Sequence, residues 1–209
     1  MDRRRRRWIE WGRFKRDGGK ARGRRMRWVE VRRHAPSGDD KHLTAEGREV
    51  VRRVRASLQP RYDALVVSPL VRSAETLEAM GFSGWTVDPG FDEMPESVRM
   101  FMPQAKAIAA EQSCQLLEAM VQVPQIWDLL RSVGEQVLEG VRRVAGTLPE
   151  EGRALVISHG GSIEPAALLV MGGEMRLERI GGSLAGCEGA LFAVEGDRVV
   201  GVEILRIPA

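Results

Sequence analysis

The 209 residues, 43% of them hydrophobic, are enough to build one sizeable core, and length alone favours one folded domain over two. The formal charge of +3 hides a split: residues 1–25 carry 12 Lys/Arg against 3 Asp/Glu, leaving 20 against 26 in residues 26–209. A net-acidic body lacks the basic face that nucleic-acid phosphates demand, so the folded domain is expected not to bind nucleic acid. No apolar run nears the roughly 18–20 residues needed to cross a bilayer and no signal core follows the leading arginines, which points to a cytoplasmic protein without a membrane span.

In chain order, the leader 1–25 scatters its arginines among glycines and reads as disorder or a frayed helix. Met26 leaves two readings open, an upstream start-site artefact or a basic arm that touches acidic polymers or lipid head groups. Trp28 to Arg33 reads as a first strand and Pro36 to His42 as the loop leaving it. Thr44 is placed to cap a helix carrying Val50, Val51, Val54 and Leu58 at helical spacing, with Pro60 as its stop. Ala64 to Ser68 has the apolar run of a buried parallel strand, and Ser68-Pro69 resembles the opening of a helix through about Met80.

Trp85 to Val87 predicts a third strand, Gly90 to Pro103 an irregular segment, and 104–148 a helical region interrupted near Pro124. Ala154 to Ser158 is a strand and Ser162 to Met171 a helix with Pro165 in its first turn. Ala190 to Glu195 and Val199 to Arg206, joined by Gly196-Asp197, predict a terminal β-hairpin. Alternating strands and helices give an α/β fold: a mainly parallel sheet flanked by helices on both faces. Cys114 and Cys187 stand in no metal spacing and read as ordinary thiols.

Two of the chain's three histidines, His34 and His159, stand where apolar runs stop. Open α/β sheets bind ligands beyond the carboxyl ends of their strands, so Arg33-His34 and His159-Gly160-Gly161 suggest one anion site. A metal site built on His34, His42 and His159 is the chemical rival. It lacks H-x-x-x-H or H-x-H spacing, and arginines beside the histidines would repel a cation, so no metal and no cofactor is expected.

Arg33-His34-Ala35, Leu43-Thr44-Ala45-Glu46-Gly47, Ser68-Pro69-x-x-Arg72-x-x-x-Thr76 and Ser158-His159-Gly160-Gly161 together resemble the histidine phosphatase superfamily, the phosphoglycerate-mutase-like fold. The resemblance covers about residues 27–207, with Ala35 in place of the usual glycine, as in short bacterial members similar to phosphohistidine phosphatases. It implies His34 as nucleophile, Arg33 and Arg72 as phosphate clamp, and His159, if protonated, as a further donor. The family's proton donor is usually a glutamate between the second arginine and the second histidine; Glu93 fits, with Glu96 and Asp92 as rivals. The Pro36–His42 loop lacks the family's Glu-Thr and asparagine, and Ser37 is a candidate replacement contact, as Gly160 is on the other side.

The chemistry suits these residue types. A neutral imidazole is nucleophilic near pH 7, a phosphohistidine splits one hard displacement into two easier ones, and guanidinium forks match phosphoryl oxygens. The expected activity is a metal-independent phosphatase acting on a phosphorylated small molecule or a phosphoprotein. The alternatives are a mutase-type phosphoryl transferase and a non-catalytic phospholigand-binding protein on the same fold.

Overall fold

The structure, a computed structural model, describes residues 26–92 and 94–207. The leader 1–25 and the candidate acid Glu93 therefore lie outside the described residues. Within them, β1 (Met26–Arg33), β2 (Ala64–Val67), β3 (Thr86–Val87), β4 (Arg153–Ser158), β5 (Gly189–Glu195) and β6 (Arg198–Leu205) form one sheet in the order β3-β2-β4-β1-β5-β6. The pairs β3·β2, β2·β4 and β4·β1 are parallel, while β5 runs antiparallel to both β1 and β6, completing the expected hairpin.

Side chains alternate across the sheet as the period of two requires. Val29, Val31, Ala154, Val156 and Phe192 face a core shared with α6 (Pro124–Thr147) and α7 (Ile163–Val170). Val67, Leu155 and Ile157 face the other way, onto Val50, Val51 and Val54 of α1 (Ala45–Arg55) and Leu77 of α2 (Val71–Ala79). Each such aliphatic side chain, fully buried, contributes about 1.5–3 kcal/mol.

β1 places polar residues where a central strand should be dry. Glu30 and Arg32 lie on the face opposite Val29 and Val31, and both are buried. The carboxylate of Glu30 accepts from Arg32 Nε at 2.6 Å, Arg153 NH2 at 2.7 Å and the Tyr62 hydroxyl at 3.0 Å. Burial and the adjacent carboxylate push the Tyr62 phenol well above its ordinary range. Removing the shared acceptor strands all three donors, so Glu30→Ala is expected to destabilise the fold by about 3–5 kcal/mol in denaturant unfolding. A loss below about 1 kcal/mol would show that water replaces the carboxylate.

Three sequence expectations shift. Helix α1 ends at Arg55 rather than running to Leu58, because the Ser57 hydroxyl and its own N–H both bind the Val54 carbonyl, at 2.7 and 2.8 Å, and close the last turn early. Helix α2 begins at Val71 and Ser68 does not cap it. The segment read as irregular contains a 3-10 turn, Pro89–Phe91, and two helices, α3 (Glu96–Arg99) and the start of α4 (Met102–Gln112). Pro95 and Pro103 stand at the openings of these helices, where the missing N–H is no loss. A short α5 (Leu116–Met120) follows, and no helix among the described residues is long and apolar enough to cross a membrane.

Candidate active site

The parallel register of β2, β4 and β1 brings their carboxyl ends to one edge. Arg33 pairs with Ser158 and Val67 with Ile157. The next N–H groups continue the ladder, His34 to the Ser158 carbonyl at 2.9 Å and Ser68 to the Ile157 carbonyl at 3.0 Å. His34, Ser68 and His159 thus follow directly from adjacent strand ends. Arg72 reaches the same edge from the first turn of α2, whose Thr76 accepts the Ala35 N–H at 3.0 Å. Ala35 itself is fully buried in the core under α1 and α2, so the methyl that replaces the usual glycine hydrogen has a packed place.

The hydrogen bonds fix both imidazole tautomers. A carbonyl can only accept, so His34 Nδ1–H donates to the Ala35 oxygen at 2.7 Å and Nε2 keeps its lone pair. Arg72 Nε donates to that Nε2 at 3.0 Å. Arg72 NH2 stands 3.3 Å from His159 Nδ1, and a guanidinium has no acceptor, so Nδ1 is unprotonated and His159 Nε2–H donates to the Ser68 hydroxyl at 2.7 Å. Ser68 in turn meets Ser73 Oγ at 2.7 Å, which explains why its side chain does not cap α2. The two imidazole rings lie 5.2 Å apart, centre to centre.

Arg33 is held from behind. Its NH1 donates to the Leu184 carbonyl at 2.6 Å. Leu184 N–H donates to Glu164 Oε1 at 3.0 Å, and Glu164 Oε2 accepts the Gly161 N–H at 2.7 Å. One buried carboxylate therefore ties the loop after His159 to the loop that orients Arg33. Burial pushes the Glu164 carboxyl up, against the pull of the N–H groups of Leu184 and Gly161 and of the Arg33 charge. Gly160 is needed for this closeness, since a Cβ there would stand 2.8 Å from Arg33 Nε. Gly161 has φ +83° and the Met94 methyl lies over it, so both its backbone and its surface exclude a side chain.

His159 is neutral in this arrangement. Burial is the largest cause, followed by repulsion from His34 whenever that ring is protonated and from the Arg72 and Arg33 guanidinium groups, and together they push its pKa from 6.5 down to about 3. The positive charge of the site accordingly comes from Arg33 and Arg72, and the condition set for His159 as a further donor, that it be protonated, is not met by these surroundings. An unfolded chain binds this proton near pH 6.5, the folded one only near 3, so stability is lost as pH falls through that window. At about 1.4 kcal/mol per pH unit, wild type should lose about 3 kcal/mol relative to His159→Gln between pH 7 and pH 4, read from urea midpoints. Parallel curves for the two proteins would contradict it.

A cavity of about 320 Å³ opens over this edge, lined at its base by Arg33, His34, Arg72, His159 and Gly160. A family model described as histidine phosphatase superfamily (branch 1) matches residues 25–196. The chain belongs to the histidine phosphatase superfamily. Among solved structures it is similar to the phosphoglycerate mutase of Bacillus anthracis, with 11% identity, TM-score 0.59 and coverage of 87% of this chain and 92% of that one. A mycobacterial glucosyl-3-phosphoglycerate phosphatase complexed with VO3 gives 14% identity, TM-score 0.59 and coverage of 88% and 100%. A phosphoserine phosphatase mutant of Entamoeba histolytica, in complex with phosphoserine, gives 16%, 0.55, and 85% and 94%. No curated protein matches the chain by sequence.

In this member of the superfamily, Arg33, His34, Arg72, His159 and Gly160 meet at the base of one cavity, whereas Ser37 does not line it. Ser37 bridges Leu43 across its own loop instead. His42 points outward and pairs with Glu75 at 2.6 Å, which raises its pKa. Of the rival acids, Glu96 opens α3 with its side chain in solvent, 4.0 Å from Arg99, and Asp92 is half-buried outside the lining. Sequence reasoning missed Ser68 as the partner of His159 and Glu164 as the clamp behind Arg33. Glu164 did carry a signal: a carboxylate in the first turn of a helix that follows two glycines is placed to accept their free N–H groups.

Proposed function

We propose that the protein hydrolyses a phosphomonoester of a small molecule, or alternatively the P–N bond of a protein phosphohistidine, through a phosphohistidine on His34. The observation that carries this reading is the Nε2 lone pair of His34, free of hydrogen and met by Arg72 at 3.0 Å while Nδ1–H is tied to the backbone. Nucleophile and anion clamp thus share one spot at the base of the cavity.

In the first step His34 Nε2 forms a bond to phosphorus and the ester P–O bond breaks, its electron pair leaving on the ester oxygen. Arg33 and Arg72 move their N–H groups onto the equatorial oxygens as charge spreads there. The entering dianion reverses the field that keeps His159 neutral and favours its protonation beside the same oxygens. Glu93, by its resemblance to the family's acid, gives the leaving oxygen its proton. In the second step water attacks phosphorus and gives a proton back to Glu93, the P–N bond breaks with its electron pair returning to His34 Nε2, and inorganic phosphate leaves.

Hydrolysis is favoured over mutase chemistry by the lining itself. Beyond Arg33 and Arg72, Arg99 is the cation among the described residues that line the cavity, and it sits exposed at the rim. A bisphosphate asks for more. Metal independence fits a donor set with no cluster of three or more His, Cys, Asp or Glu among the described residues. Hydrolysis of para-nitrophenyl phosphate should therefore proceed unchanged in excess chelator. Activity that the chelator abolishes and a stoichiometric metal restores would overturn the reading.

A further inference from the structure

Above the phosphoryl-binding base, the cavity wall changes character at once. Met94, Met102, Leu116, Leu117 and Met120 line it, and the Met94 methyl already covers Gly161, next to the base. Leu117 and Met120 are buried in the main core, while Met94, Met102 and Leu116 are half-buried and pack against it, so the wall is anchored to the fold. Among the described residues, the polar side chains above the base are few. Gln115 and Arg99 are exposed at the rim, and Arg99 Nε leans on the Met94 carbonyl at 3.3 Å with Glu96 at 4.0 Å.

Ser183 is different: it is buried, and its hydroxyl has no hydrogen-bond partner. It precedes Leu184, whose carbonyl holds Arg33, but its oxygen is itself closed off from solvent, so it adds at most one donor beside the clamp. One orphan hydroxyl can serve one oxygen of a phosphoryl ester. With Gln115 and Arg99 out at the rim, the described part of the wall would leave most hydroxyls of a sugar or polyol against thioethers and methyls, unpaired.

We propose, resting on the phosphatase reading above, that the physiological substrate class is a small phosphomonoester with an apolar organic part, a short alkyl chain or an aryl ring. The cavity, about 320 Å³, lies at the small end for ligand sites and suits a phosphoryl group with a short body. Thioethers and leucines reward each added carbon and give nothing to a hydroxyl.

The test is kcat/KM over straight-chain alkyl phosphates from ethyl to hexyl and phenyl phosphate, against glycerol phosphate, glucose 6-phosphate and phosphoserine. Each methylene should raise kcat/KM about 4-fold until the cavity is full. The polyol esters should trail butyl phosphate by 10-fold or more. Leu116→Gln, half-buried and so tolerant of the change, should flatten the chain-length slope to less than 2-fold per carbon. A flat slope in wild type, or a 10-fold preference for phosphoserine or a polyol ester, overturns the proposal. Alkylphosphonates, which cannot be hydrolysed, separate the two claims by calorimetry. Chain-length-dependent binding without turnover of any ester would sink the phosphatase reading and keep the apolar preference, whereas turnover with chain-independent phosphonate binding would do the reverse.

Discussion

Replacing His34 by alanine is expected to lower kcat/KM for para-nitrophenyl phosphate by about four orders of magnitude or more, leaving the fold intact. The size follows from the role: without Nε2 there is no covalent intermediate, and water must attack directly, helped only by the arginine clamp. The fold should tolerate the change because the side chain of His34 is half-buried at a strand end and its Nδ1–H binds only the neighbouring carbonyl. His34→Asn tests the same point with less loss of volume and should be equally inactive. A residual rate within 10-fold of wild type, with the unfolding midpoint unchanged, would place the nucleophile elsewhere.

Arg72→Ala is expected to cost about 10³-fold in kcat/KM, and Arg72→Lys to recover only a small part. Arg72 does two jobs at once. Its Nε meets His34 Nε2 at 3.0 Å and its NH2 faces His159 Nδ1 at 3.3 Å, so a single planar fork spans both imidazoles. Lysine offers charge without that fork and cannot hold both directions. Preorganised cations at a transferring phosphoryl group are worth 10³–10⁵ in rate by analogy with other phosphoryl-transfer sites. Arg72 is also among the charges that depress His159, so its removal should raise the pKa of that histidine from about 3, visible as a shifted imidazole titration in NMR. An unshifted titration would mean that the Arg72 charge has no part in setting it.

Much of the site was legible because it rests on local sequence at strand ends. An apolar run that stops at His34, and another that stops at His159, mark where a parallel sheet presents its carboxyl edge. Arg72 was legible because Ser68-Pro69 fixed the entry to the helix that carries it, even though the helix begins at Val71. The polar half of β1 is hidden from pattern reading: alternating Glu30 and Arg32 carry no sign of burial in the sequence, and only the pairing of the strand between β4 and β5 shows them buried and mutually satisfied. The clamp behind Arg33 was illegible for a different reason. Its parts, Leu184 and Glu164, join a loop and a helix far from Arg33 in sequence, and a backbone carbonyl leaves no trace in residue identity. The helices between Glu96 and Gln112 were masked by prolines that break a helix in its interior but begin one at its first turn.

The most direct test of the central claim is to look for the phosphoenzyme. The wild-type protein mixed with a fast-leaving aryl phosphate, quenched in alkali to preserve phosphohistidine and digested for mass spectrometry, should carry phosphate on the peptide containing His34, at Nε2, with none in His34→Ala. Phosphate on another residue, or turnover in single-turnover mixing with no phosphorylated His34 at any time, would contradict it.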